Sequence, residues 1–333
     1  MTGEQASLAA GEKAAAEILR KQSSFEALAD ALRKEPHVIE VGGVNASGGG
    51  LLLSLLCQTI PEKNILVVTS GEEEAEDLYC SLQCFKPEDL ELLFFPTEES
   101  GAGREVEAAT VSARFRALNT LVSRKGKTAV VAPLQAFLKA VPSPQRLISG
   151  RVELQVGGTF DPEAFCSRLI EFGFQRLPQV ELPGDFARRG GIVDIYPYGA
   201  SRPLRLEADG EILCDIRAFD PISQRSVEKL KRTCFSLCPW GDAEIVKGPE
   251  ESCLSYLSEN DLFVILEESQ VRERALQLLL HQGFSENRAL GLVEDLFGRP
   301  RLKLRRYSQP GETATFLFAE KPPLGLDLES SWI

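Results

Sequence analysis

Apolar residues keep two rhythms along this chain. Within 1–35, Ile18, Phe25, Leu28 and Leu32 recur at helical spacing among Ala, Glu, Lys and Leu. A short β-like run at 37–41 follows, then a glycine-rich run at 42–50, then an apolar, helix-like segment at 51–60. Ile65-Leu66-Val67-Val68 reads as a buried strand, 71–85 as an acidic helix, and 92–95 as a strand ended by Pro96. A helix at 105–123, a strand at 128–131 and a helix at 134–140 come next. Strands alternating with helices predict βαβ units and a parallel sheet. The expected class for residues 1–150 is therefore α/β.

The rhythm changes after Pro142-Ser143-Pro144. Asp161-Pro162-Glu163 reads as a helix start: Asp caps, Pro occupies the first turn and Glu complements the dipole. Beyond it, strands are predicted at 175–180, 192–196, 204–207, 212–219 and 226–230, with Asp209-Gly210 as a hairpin signal. Arg205, Glu207 and Asp209 alternate with apolar neighbours, as on a half-buried antiparallel sheet. Residues 151–238 thus read as a small inserted α+β domain. From 239 the helix–strand alternation returns, with a short helical piece at 251–257, strands at 262–266, 302–304 and 313–319, and a helix at 268–281. Residues 239–333 are expected to continue the first domain. Ser330-Ser331-Trp332-Ile333 do not read as a capped end, which leaves a longer parent chain open.

Composition narrows the function more than the fold. The 333 residues are 43% hydrophobic and 26% charged, with a net charge of −12. Nucleic-acid modules carry a basic footprint, so autonomous tight DNA binding is not expected. With 2 His in the chain, a His-containing zinc site or a Ser/His/Asp set is not expected either. The 8 Cys are scattered, and Cys57, Cys166, Cys214 and Cys253 lie in apolar runs. Cys80 and Cys84 are placed on one helical face and read as core. No apolar stretch spans a bilayer and no secretory leader is visible at the start, so a cytoplasmic protein is expected, with no cofactor and no resident metal.

Two stretches carry the candidate chemistry. Gly43 and Gly48 have the spacing of a phosphate loop between a strand and a helix. The next two positions of an active loop are Lys, for the β- and γ-phosphates, and Ser/Thr, for Mg²⁺; here they are Gly49 and Gly50. The run is either a degenerate phosphate loop or a plain glycine turn, and neither predicts hydrolysis. The second stretch, 184–197, places Arg188 and Arg189 just before Gly190-Gly191 and a strand that stops at Pro197. It is either a sheet edge blunted by charge or an edge that docks a protein.

Three segments together resemble the N-terminal module of bacterial transcription-repair coupling factors, itself similar to the first domains of the excinuclease subunit UvrB. The first is Leu92-Leu93-Phe94-Phe95-Pro96 with Glu98, then Arg114 and Leu118, then Val130-Val131-Ala132-Pro133. The second is Phe172-Gly173-Phe174-Gln175-Arg176. The third runs through the arginine–glycine–strand stretch into Arg205-Leu206-Glu207, Gly210-Glu211-Ile212 and Phe219-Asp220-Pro221-Ile222-Ser223-Gln224-Arg225. The resemblance implies a degenerate helicase-like α/β domain in two pieces (1A and 1B) around an inserted domain 2 that binds UvrA, the damage-recognition ATPase of nucleotide excision repair. It implies a non-enzymatic adaptor; RNA polymerase and DNA would be engaged only through regions outside this chain. The expected UvrA-binding residues are Arg176, Arg188 and Arg189, which offer bidentate bonds to acidic groups, and Tyr196 as an aromatic anchor. The competing reading is a residual nucleotide-binding or DNA-remodelling domain using the amides of residues 43–50.

Overall fold

A computed structural model describes residues 23–34, 38–44, 46–98, 103–123, 126–238, 245–298, 300–307 and 314–315. The N-terminal part of the first expected helix and most of the strand expected at 313–319 lie outside them. Along the chain come α1 (Ser23–Lys34), β1 (Ile39–Gly42), α2 (Ala46–Thr59), β2 (Ile65–Thr69), α3 (Glu72–Phe85), β3 (Leu90–Phe94), α4 (Arg104–Ser123), β4 (Lys127–Pro133) and α5 (Leu134–Phe137). Then follow α6 (Pro144–Ser149), β5 (Arg151–Gln155), α7 (Pro162–Glu171), β6 (Gln175–Arg176), β7 (Asp185–Arg189), β8 (Ile192–Ile195), β9 (Leu204–Asp209), β10 (Ile212–Phe219), β11 (Ser226–Leu230) and β12 (Arg232–Ser236). The described chain closes with β13 (Leu262–Leu266), α8 (Glu268–His281), α9 (Glu286–Phe297), β14 (Leu302–Leu304) and β15 (Ala314–Thr315). It divides into two compact units: Met1–Phe94 with Arg124–Leu138 and Leu257–Ile333, and Phe95–Ser123 with Lys139–Tyr256.

The first unit is built on a seven-stranded sheet, ordered β15-β1-β14-β13-β2-β4-β3, with every pairing parallel. Strands from both ends of the chain share it, so the fold is α/β with an inserted module. Parallel strands are covered on both faces and read as unbroken apolar runs; β2 and β13 are buried at every position. Val264 and Leu302 face α2 and α3 within one core cluster. On the other face Phe137 lies between Phe263 and Phe297, with ring centroids 5.8 and 5.4 Å away. That face turns polar at β1 and β14. Lys303 meets Glu268 at 2.5 Å and Glu40 at 3.4 Å, Arg305 meets Glu40 at 2.5 Å, and Arg272 bridges Glu268 and Glu294 at 2.8 Å each.

In the second unit six strands run in the order β11-β10-β9-β8-β7-β6, antiparallel except for the β6–β7 pair. One face is the core. Phe186, Val193, Ile195, Leu206 and Ile216 are fully buried there, against Phe165, Cys166 and Leu169 of α7 and Phe235 of β12. Each such apolar side chain contributes roughly 1.5–3 kcal/mol by leaving water. Helix α7 starts as its sequence requires: Asp161 accepts from the Glu163 and Ala164 amides at 2.8 and 3.1 Å. The ribbon of β5 and β12 was not anticipated.

Three expectations need correction. Residues 175–180 form a strand only over Gln175–Arg176, because Pro178 has no amide to donate and Val180 turns over the sheet to join Ala187 and Phe219. Arg188 and Arg189 do not lie in a turn before the first strand; they end a strand of their own, β7, and Gly190-Gly191 is the two-residue hairpin turn into β8. Gly190 sits at φ +62°, and a Cβ on Gly191 would fall 2.4 Å from the Ala208 carbonyl oxygen. Cys80 and Cys84 are exposed, not core, because α3 buries Ala75, Leu78 and Leu82 and leaves both thiols on the opposite side.

Candidate protein-docking site

Successive side chains of a strand point to opposite faces. In β7 this sends Phe186 into the core and Ala187 to the other face, which we call the outer face. Arg188 therefore follows Phe186, and Arg189 follows Ala187. The contacts agree. Arg188 approaches Glu163 of α7 at 3.8 Å, and its Nε donates to the Gly190 carbonyl at 3.3 Å. Arg189 is exposed and donates to the Pro178 carbonyl at 2.8 Å. Arg176 pairs in register with Phe186, on the Arg188 side, and is exposed at the edge strand. Both Arg176 and Arg188 lie close enough to favour the Cys166 thiolate, although burial dominates and pushes that thiol up. Tyr196, following β8, is half-buried against Val180, Ala187 and Phe219 on the outer face. Its hydroxyl donates to the Ser201 carbonyl at 3.3 Å, and burial raises its pKa. The structure thus brings the four residues to one end strand region but splits them: Arg176 and Arg188 beside α7, Arg189 and Tyr196 on the outer face.

The outer face carries a charge ladder that only its alternation hinted at. Arg205 grips Asp194 with two bonds of 2.7 and 2.8 Å and lies 4.8 Å from the Phe219 ring centroid. The Asp194 bond raises the Arg205 pKa. Arg217 meets Asp215 at 2.5 Å and Glu207 at 2.8 Å, and Lys229 meets Asp215 at 3.1 Å. Burial pushes the Asp215 carboxyl up, but the bonds from Arg217 and Lys229 outweigh it and hold the pKa below the usual range. Charge-assisted pairs of this geometry fix side-chain positions, so the face is organised before any partner arrives.

Its support comes from beneath. The Asp185 carboxylate is buried, paired with Arg104 of α4, and accepts from the Glu181 and Leu182 amides at 3.1 and 2.8 Å. Those bonds pin the segment that carries Val180 and Pro178. Tyr198 stacks on Phe115 of α4 with centroids 5.5 Å apart, and the Gly199 amide donates to Ser112 Oγ at 3.0 Å. Gly184, at φ +91°, leaves the room Tyr198 needs: a Cβ there would lie 2.2 Å from the phenol oxygen. Arg104 was invisible as a site residue because it lies 81 positions from Asp185.

The glycine run has a structural use. Gly43 turns the chain at φ +74°, and Gly48, Gly49 and Gly50 lie inside the first turns of α2, not in a loop before it. A Cβ on Gly50 would fall 2.1 Å from Ser81 Oγ, 2.5 Å from Ser81 Cβ and 2.8 Å from the Leu82 amide nitrogen. Helix α3 therefore packs directly against the backbone of α2. Among the described residues, no group of three or more His, Cys, Asp or Glu is arranged to hold a metal ion. No helix there is long and apolar enough to cross a membrane.

Residues 152–238, the span that holds this sheet, match the family described as the UvrB interaction domain. The chain is also similar to repair proteins. It is 28% identical over 236 residues to the transcription-repair-coupling factor of Bacillus subtilis, covering 70% of this chain and 20% of that protein. It is 33% identical over 216 residues to the coupling factor of Myxococcus xanthus, covering 62% of this chain and 18% of that protein. UvrABC system protein B of Thermosipho africanus is 25% identical over 223 residues, covering 63% of this chain and 33% of its own. The chain thus spans between about a fifth and a third of the length of these relatives.

Proposed function

We propose that this chain is a non-catalytic docking module that recruits UvrA in transcription-coupled nucleotide excision repair. The observation that carries the reading is the match of residues 152–238 to the UvrB interaction domain. The geometry adds the surface: the outer face, where Arg189 and Tyr196 flank the Arg205–Asp194 pair on a preformed ladder. Arginine and tyrosine are frequent anchors at protein interfaces. In this reading residues 1–150 and 239–333 are the two pieces of the α/β scaffold, 151–238 is the docking domain, and RNA polymerase and DNA are engaged elsewhere in a longer protein. A cytoplasmic setting fits such a role.

A nucleotide-dependent role is disfavoured by chemistry. Gly49 and Gly50 supply neither the phosphate-binding amine nor the Mg²⁺ hydroxyl, and the Gly50 position has no space for a side chain. The test is capture of purified UvrA by this chain, with and without ATP and Mg²⁺. Capture that is lost in an Arg189→Ala/Tyr196→Ala variant is expected. Failure to bind, or a nucleotide-dependent rise in the melting temperature of the chain itself, would overturn the reading.

A further inference from the structure

The six-stranded sheet ends in two unlike edges. At one end β6 is two residues long and leaves the sheet at Pro178. At the other, β11 runs for five residues and, among the described residues, pairs only with β10. Half of the backbone N–H and C=O groups of such an edge point away from the sheet and form a template for another strand. The chain leaves this edge at Lys231, whose carbonyl accepts from the Val156 amide at 3.0 Å, and then pairs β12 with β5. Ser226, Val227, Glu228 and Lys229 are exposed, so no element among the described residues roofs the strand.

The edge has a chemistry of its own. Within 225–232 stand four cations, Arg225, Lys229, Lys231 and Arg232, and one acid, Glu228, in a chain whose net charge is −12. Lys229 stays 73% exposed while paired with Asp215. The turn leading into the strand is rigid: the Ser223 amide and hydroxyl both donate to Asp220 Oδ1, at 2.7 and 2.8 Å. Gln224, at φ +58°, donates from its side chain to the Val180 and Pro221 carbonyls at 3.0 and 2.7 Å. That frame holds Ile222 at 90% exposed, with Val227 at 48% nearby in sequence. Edge lysines alone are explained as protection against aggregation. A rigidly presented isoleucine beside them is not, because an exposed branched apolar side chain works against that protection.

We infer that β11 is a docking edge for an extended acidic peptide segment bearing an apolar side chain, which adds to the sheet as a seventh strand. Main-chain bonds would supply the affinity, the cations the preference for acidic sequence, and Ile222 an apolar contact. A second copy of this chain is the wrong occupant, since each edge carries net positive charge and two of them repel. The inference does not rest on the UvrA reading, which centres on Arg189 and Tyr196 at the far end of the outer face; only Lys229 belongs to both surfaces.

The experiment is amide hydrogen exchange on the whole chain, with a short capped peptide alternating glutamate and valine and with its lysine counterpart. The glutamate peptide is expected to slow exchange within 226–230, and the lysine peptide is not. The variant R225E/K231E changes two exposed side chains outside the core and is expected to bind the glutamate peptide roughly tenfold more weakly or worse. Its circular dichroism should match the parent. No slowing at millimolar glutamate peptide, or equal slowing by both peptides, would overturn the inference. So would slowing that grows with protein concentration in the absence of peptide, which would mark self-pairing.

Discussion

The glycine run offers the sharpest test of whether helix packing, not phosphate chemistry, accounts for these residues. Gly49 and Gly50 are neighbours in α2 and differ in what a methyl group would meet. At position 50 it would press on Ser81 Cβ at 2.5 Å and the Leu82 amide nitrogen at 2.8 Å, which belong to α3 and cannot swing away. At position 49 it would meet Leu78 Cδ1 at 3.3 Å and Val44 Cγ1 at 3.6 Å, of which the first is the flexible end of a side chain. Alanine improves on glycine in a helix by about 1 kcal/mol, while overpacking costs about 1–3 kcal/mol. Gly49→Ala should then be neutral or slightly stabilising, and Gly50→Ala destabilising by about 1 kcal/mol, leaving the two about 1–2 kcal/mol apart. Cys57 reports on the same helix: it is buried, and its thiol is pushed up to about 12 by burial. Site-resolved thiol labelling therefore reads the opening of α2. Cys57 in Gly50→Ala should react about 5- to 30-fold faster than in Gly49→Ala. Equal rates, or a slower rate in Gly50→Ala, would refute the packing account.

Three further outcomes follow from the same contacts. Asp185→Asn should destabilise the second unit by about 1–3 kcal/mol, a range that allows for the half-exposed Arg104 partner; urea unfolding followed at Tyr198 checks it. For Glu268, burial pushes the carboxyl up, but the bonds from Lys303 and Arg272 outweigh it and hold the folded pKa below the ordinary value. Its contribution is thus complete above the unfolded pKa, near 4.3, and is lost as pH falls through the lower folded value, so the stability gap between the parent and Glu268→Gln should narrow on acidification below that range. Native labelling should be fast at Cys80, Cys84, Cys214 and Cys234 and slow at Cys253, which is buried with its thiol pushed up to about 12; fast labelling of Cys253 would contradict its burial.

Much of the fold was legible because it is written locally. β10, β11, β13, α8 and β14 fall where alternation, apolar runs or helical spacing place them. Tertiary pairing hid the rest. Asp185–Arg189 has poor strand propensity, and its conformation comes from β6 and β8 on either side. Gly48, Gly49 and Gly50 read as a loop on propensity, yet α3 closes on them and a helix results. Of the proposed docking residues, the nearness of Arg189 and Tyr196 in sequence could be read, but not their separation from Arg188, which needed the arginines to lie within a strand. The Arg205–Asp194 and Arg217–Glu207 pairs cross from one strand to the next and required the register. The Arg104–Asp185 pair required a fold.

That separation of faces is also the most direct test of the docking account. Calorimetric titration of UvrA with this chain should show Arg189→Ala weakening binding by about 2 kcal/mol, roughly 30-fold, while Arg188→Ala, beside Glu163, leaves it nearly unchanged. Equal losses in the two variants, or a larger loss at Arg188, would contradict an interface on the outer face.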